Sequence, residues 1–207
     1  MKNIVCFFAI ILIYQNSFGQ QTKVFDSISN ELKKIKSECK IESNNKKILN
    51  LFNDFYFEMM QAENGNLSQN TISEYNDFQN NRNIPNWHIF YLFNIYQNHI
   101  TESIKLNKET NSDFQISVMK ILSGELLETY KTLPPLILIY MGEALMSGNR
   151  NETARNHFKM SLEFYPKSIP IKVYNYLLLE DVIEKEKVYK ELKTKNPNHW
   201  MVIEKLK

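Results

Sequence analysis

The chain has 207 residues, 43% of them hydrophobic and 23% charged, with a formal net charge of +2 and two cysteines. Lysines interleave with glutamates, as in Glu31-Leu32-Lys33-Lys34 and Glu184-Lys185-Glu186-Lys187, which is the pattern of solvated helix faces. There is no one-sided basic stripe to neutralise phosphates, so the composition excludes an ordinary nucleic-acid binder.

Residues 1–19 read as a cleavable export signal. A short positive start at Met1-Lys2 precedes an apolar run from Ile4 to Tyr14, and Ser17-Phe18-Gly19 ends in a small residue. The apolar run is too short for a membrane-spanning helix, so cleavage near Gly19 and export to the periplasm or medium are expected, with no stable membrane span afterwards. Cys6 leaves with the signal. Cys39 then has no partner for an internal disulfide, so packing must hold the fold.

The remainder divides into an N-terminal helical region, 20–111, and a C-terminal region, 112–207. Val24, Phe25, Ile28, Leu32 and Ile35 recur at three- and four-residue steps and predict the first helix. Ile48, Leu49, Phe52, Phe55, Tyr56, Met59 and Met60 predict the second, which stops at Asn64-Gly65. From Gly65 to Asn83 an asparagine-rich loop is expected, with Thr71-Ile72-Ser73-Glu74 as a capping box for a short helix through Phe78. Trp87 to Tyr96 has hardly any polar face. Its aromatics also suit a strand, but no second strand candidate exists to pair with it, so it is expected to be a buried helix.

Ser112 or Asp113 then caps a helix through Tyr130, ended by Leu133-Pro134-Pro135. Further helices are expected at Leu136–Met146, from a cap at Asn149 or Asn151 to Phe164, at Ile171–Leu179 behind Ser168, at Val182–Lys193 and at Trp200–Leu206. The fold class is therefore all-α. Pro135, Pro166 and Pro197 stand 31 residues apart, each at the close of a helical run, which points to repeated helix pairs.

Tyr140-Met141-Gly142-Glu143-Ala144-Leu145, followed by Ala154, Phe158 and Pro166, resembles the tetratricopeptide repeat. The preceding unit has Ser123, Leu127 and Pro135 at the matching places, and the following one keeps Tyr189 and Pro197. The resemblance implies antiparallel helix pairs forming a short solenoid, with the extra N-terminal helices as worn repeats or a cap. In that family a glycine in the first helix admits the second, an alanine and an aromatic pack it back, and a proline closes the unit. Gly142, Ala154, Phe158 and Pro166 would fill those roles. It also implies a protein or peptide partner in a groove lined by first helices, here Ile139, Glu143, Met146 and Tyr174.

Motifs for chemistry are sparse. His88, His99, His157 and His199 form no zinc-protease or di-iron pattern, and each is expected at a helix edge. Ser37-Glu38-Cys39-Lys40 and Ser117-Val118-Met119-Lys120 match Ser-x-x-Lys without the accompanying elements of penicillin-recognising enzymes. No catalytic residue, cofactor or metal is predicted. The expected function is an exported protein- or peptide-binding scaffold rather than an enzyme. The alternatives are an envelope enzyme with a site assembled from distant residues, and an accessory subunit resting on a membrane through Trp87–Tyr96.

Overall fold

The computed structural model of the protein describes residues 21–206, so the export signal expected at 1–19 lies outside the described residues. Ten α-helices and one π-helix are present among them, and no strand. They form two compact units, residues 21–45 with 81–132, and residues 46–80 with 133–206.

The first unit contains α1 (Gln21–Glu38), α4 (Trp87–Lys105) and α5 (Ser112–Tyr130), each packed against the other two. Its core is the aromatic helix α4, where Ile89, Phe90, Leu92, Phe93 and Tyr96 are fully buried. That burial confirms a helix apolar on most sides and overturns the membrane-contact alternative, because Trp87 and Phe90 are 7% and 0% exposed. Among the described residues no helix is long and apolar enough to cross a membrane. The division at 111/112 read from the sequence separates α4 from α5, which pack together here.

Asn86 organises one end of this unit. It is fully buried with φ of 65°, a left-handed conformation that asparagine tolerates better than other side-chain-bearing residues. Its Oδ1 accepts the Glu42 N–H at 2.8 Å, and its Nδ2 donates to the Glu42 carbonyl at 2.8 Å and the Tyr130 hydroxyl at 2.9 Å. The loop after α1, the start of α4 and the end of α5 thereby share one side chain. At the other end of α5 the cap is Asn111, whose Oδ1 accepts the Phe114 N–H at 3.0 Å, one residue ahead of the Ser112 expected from sequence.

The second unit contains α2 (Lys47–Phe55), the π-helix (Tyr56–Gln61), α3 (Gln69–Asn80), α6 (Pro135–Ser147), α7 (Asn151–Phe164), α8 (Ile169–Leu178), α9 (Val182–Lys195) and α10 (Trp200–Lys205). Packing runs consecutively, α6 on α7, α7 on α8 and α8 on α9, giving an all-α, solenoid-like succession of helix pairs within the unit. Gly142 makes the first pairing close. A Cβ there would lie 2.0 Å from Cζ of Phe158, which is itself fully buried, as is Ala154. The Tyr165 hydroxyl donates to the Leu133 carbonyl at 2.6 Å, tying the end of α7 back to the start of α6.

Two local departures from the sequence reading matter for function. The helix expected over Ile48–Met60 changes to π register at Tyr56. In the expected loop, α3 begins at Gln69, ahead of the Thr71 box. Its first turn is capped by Ser68, whose Oγ accepts the Thr71 N–H at 3.2 Å. Glu58 of the π-helix secures that turn, accepting from the Ser68 N–H at 2.7 Å and the Thr71 hydroxyl at 2.9 Å. A carboxylate ten residues upstream of Ser68 thus supports the first turn where the sequence suggested a capping box.

Candidate functional site

The residues expected to line a groove are not all at a surface. Ile139 is fully buried and Tyr174 is 8% exposed, while Glu143 and Met146 are half-buried. The reason lies in α6, where ten of thirteen residues are buried, so the helix has no open face along that line. Glu143 and Tyr174 do come together, the tyrosine hydroxyl donating to the carboxylate. The Tyr174 ring stacks on Phe158 with centroids 5.2 Å apart and planes 7° from parallel. Burial raises the Glu143 carboxyl above its usual range, only partly offset by Tyr174 and by Lys205. Glu143 and Tyr174 are thus packing between helix pairs, and Ile139 is closed off from solvent.

An open groove of about 410 Å³ lies elsewhere in the same unit, along the π-helix. Tyr56 and Phe57 form one wall, and Phe164 at the end of α7 with Tyr165, Pro166 and Lys167 of the α7–α8 turn form the other. A π turn adds one residue to the helical circuit, so side chains beyond it fall out of the register that would bury them, and such turns are frequent at functional sites. Phe57 is left 59% exposed, whereas Tyr56 beside it is 4% exposed. The Tyr56 hydroxyl donates to Gln61 Oε1 at 2.8 Å, and the same oxygen accepts the Ile169 N–H at 3.0 Å. Burial raises the Tyr56 phenol above its usual value, so it stays a neutral donor.

The π-helix is anchored by α10. The Trp200 indole N–H donates to the Met59 carbonyl at 3.1 Å, and its backbone N–H donates to the Glu63 carbonyl at 3.0 Å. Gly65, at φ of 63°, is the residue that tolerates this approach, since a Cβ there would come within 2.8 Å of the indole nitrogen.

The first unit has a different polar feature. Lys36 Nζ lies 2.7 Å from Glu125 and 2.9 Å from Glu128, and the fully buried His88 places Nε2 3.2 Å from the same Glu125 carboxylate. Burial opposes ionisation of Glu125, but His88 and Lys36 together hold its carboxyl below the usual range. Cys39 lies close by, and burial pushes its thiol up, away from reactivity. Among the described residues no group of His, Cys, Asp and Glu is arranged to hold a metal ion.

The histidines correct the sequence reading. His88, His157 and His199 are buried rather than at helix edges. His157 donates from Nε2 to the Leu138 carbonyl at 2.6 Å, and His199 accepts the Met201 N–H on Nδ1 at 3.2 Å. Sequence offered no signal for these roles, because the backbone groups they serve come from helix ends and neighbouring helices. The groove was half visible: Phe164-Tyr165-Pro166 stood out as a helix stop, but its partner wall depends on a π register that no motif announces. Comparison with protein families, with curated proteins and with solved structures gives no match.

Proposed function

We propose that the chain is an exported helical scaffold that binds a protein or peptide in the groove between the π-helix and the α7–α8 turn. The observation that carries this reading is Phe57, a large apolar ring 59% exposed beside a groove lined by Tyr56, Phe164 and Tyr165. Exposed aromatics with little conformational freedom are the usual anchors of protein contacts. The Lys167 ammonium is the one charged group on the groove's lining and supplies a polar end. Consecutive helix pairs provide a rigid frame for such a surface. Export rests on the sequence of residues 1–19.

A photoreactive phenylalanine analogue at position 57, expressed in the native host, tests this directly. The expected result is one discrete crosslinked partner, absent when the same analogue replaces Val182, which is 78% exposed in the same unit. Lys167→Glu should weaken the product. Crosslinking that is absent, or equal from both positions, would remove this groove as the binding surface.

A further inference from the structure

α10 is six residues long, too short to persist without tertiary anchors. Its anchors are consecutive. His199, 1% exposed, caps the helix by accepting the Met201 N–H on Nδ1 at 3.2 Å, so the ring is the neutral tautomer with its proton on Nε2. The ring faces the Met60 and Gln61 carbonyls, and Nε2 closes no hydrogen bond. Trp200 follows at once, with its two N–H groups on the Met59 and Glu63 carbonyls. Every acceptor in this set belongs to the π-helix or the turn leaving it.

A proton on Nδ1 turns the cap's acceptor into a donor that faces another donor, and the buried ring gains a charge with no counter-ion in contact among the described residues. We propose that His199 is an acid-operated latch: protonation of Nδ1 releases α10, and Trp200 with it, from the π-helix that walls the Phe57 groove.

The surrounding charges leave this sign intact. Glu63, beyond the π-helix, favours the proton. Tyr56 of the π-helix is committed to Gln61, and Glu58 to Ser68 and Thr71. On α8, Lys172 is paired with Glu191 at 3.1 Å, and Tyr174 with Glu143. On α10 itself the ionisable groups are Glu204 and Lys205, and Lys205 acts on Glu143. Burial outweighs Glu63 and the two carbonyls and holds the imidazole below its ordinary 6.5. A base depressed by folding gives stability that is complete above its unfolded value and lost as pH falls through the folded one. Opening of α10 therefore grows about tenfold for each pH unit below the ordinary histidine range, until the folded form itself takes up the proton.

The latch regulates the proposed groove, but its test requires no ligand, so it stands or falls apart from that reading. The chain has two tryptophans, and Trp87→Phe leaves Trp200 as the sole indole reporter. Between pH 7.5 and 5, Trp200 emission should shift to the red and become quenchable by acrylamide while far-UV helix signal is held. His199→Asn keeps a capping side chain without a titrating group, and should abolish the shift. Hydrogen exchange on the unaltered chain gives a second readout: protection at Val202 and Leu206 should fall with pH, corrected for intrinsic rates, while the buried Leu122 in α5 of the first unit keeps its own. An emission that moves only with loss of helix, a shift that persists in His199→Asn, or uniform loss of protection would each overturn the latch.

Discussion

The two units are held together by different chemistry. In the first, polar side chains fix an aromatic core from its ends: Asn86 joins three segments, and Lys36, Glu125 and His88 join three helices. In the second, apolar helix pairing carries the fold, and buried neutral histidines serve backbone groups. The Lys36 pairs answer to salt, and the buried neutral His157 answers to acid, so one response can be followed in each unit.

The sharpest break falls in the first unit. Asn86→Ala removes the partner of the Glu42 N–H, leaves the Glu42 carbonyl and Tyr130 hydroxyl short of a donor, and puts alanine at φ of 65°. An unsatisfied buried group and a left-handed backbone together should cost about 4 kcal/mol. Urea unfolding followed by a probe in α4 should register the loss. Asn86→Gly relieves the backbone term and should recover about 1 kcal/mol. Equal losses in the two variants would mean the side-chain network accounts for all of it.

Acid should act on the second unit. His157 is 4% exposed, and burial holds its imidazole down at about 4 despite the bond to Leu138. The unfolded chain binds the proton from about pH 6.5 downward, and the folded one only near 4. Stability contributed by the neutral ring is therefore complete above the ordinary histidine range and is lost as pH falls to about 4, a difference of about 3 kcal/mol. Imidazole carbon resonances should show His157 neutral at pH 5.5. A midpoint near 6.5 would contradict its burial against Leu138.

The glycines give the same comparison in miniature. Gly142→Ala drives a Cβ to 2.0 Å from a fully buried Phe158 ring, and overpacking of this kind costs about 3 kcal/mol. Gly124, in α5 of the first unit, has nothing within 4 Å of a Cβ. Gly124→Ala should stabilise by about 0.7 kcal/mol through helix propensity alone. Thermal midpoints moving in opposite directions would support both assignments; a shared direction would overturn one of them.

Those cases also show what one-dimensional pattern can carry. Helix faces such as Ile28–Leu32 follow from side-chain spacing, and the close approach of Gly142 to Phe158 is one that the tetratricopeptide resemblance implied. The π register follows from neither, because Ile48 to Met60 has a continuous helical period, and a carbonyl of the π turn meets Trp200 from 141 positions away in the chain. Ile139 failed as a groove residue for a related reason. The repeat resemblance placed it on a groove face, but neighbouring helices cover most of α6. The exposed wall came instead from Phe57, whose neighbours in sequence give no hint of its exposure.

The smallest effect separates the units most cleanly. Lys36 is partly solvated, its side chain 24% exposed, so its pairs with Glu125 and Glu128 are screened. Burial works against the ammonium, and the two carboxylates more than compensate, raising it above its ordinary value. Its contribution is present below that ordinary value and fades as pH rises through the folded one. Lys36→Met keeps much of the stem's packing and leaves Glu125 beside His88 without its cation. The first unit should lose about 1 kcal/mol in urea at low salt, and less at 0.5 M sodium chloride. Because the second unit has no share in these pairs, its acid midpoint should not move. A salt-independent loss would assign the effect to the lysine stem instead of its charge, and an altered acid midpoint would show that the two units do not respond separately.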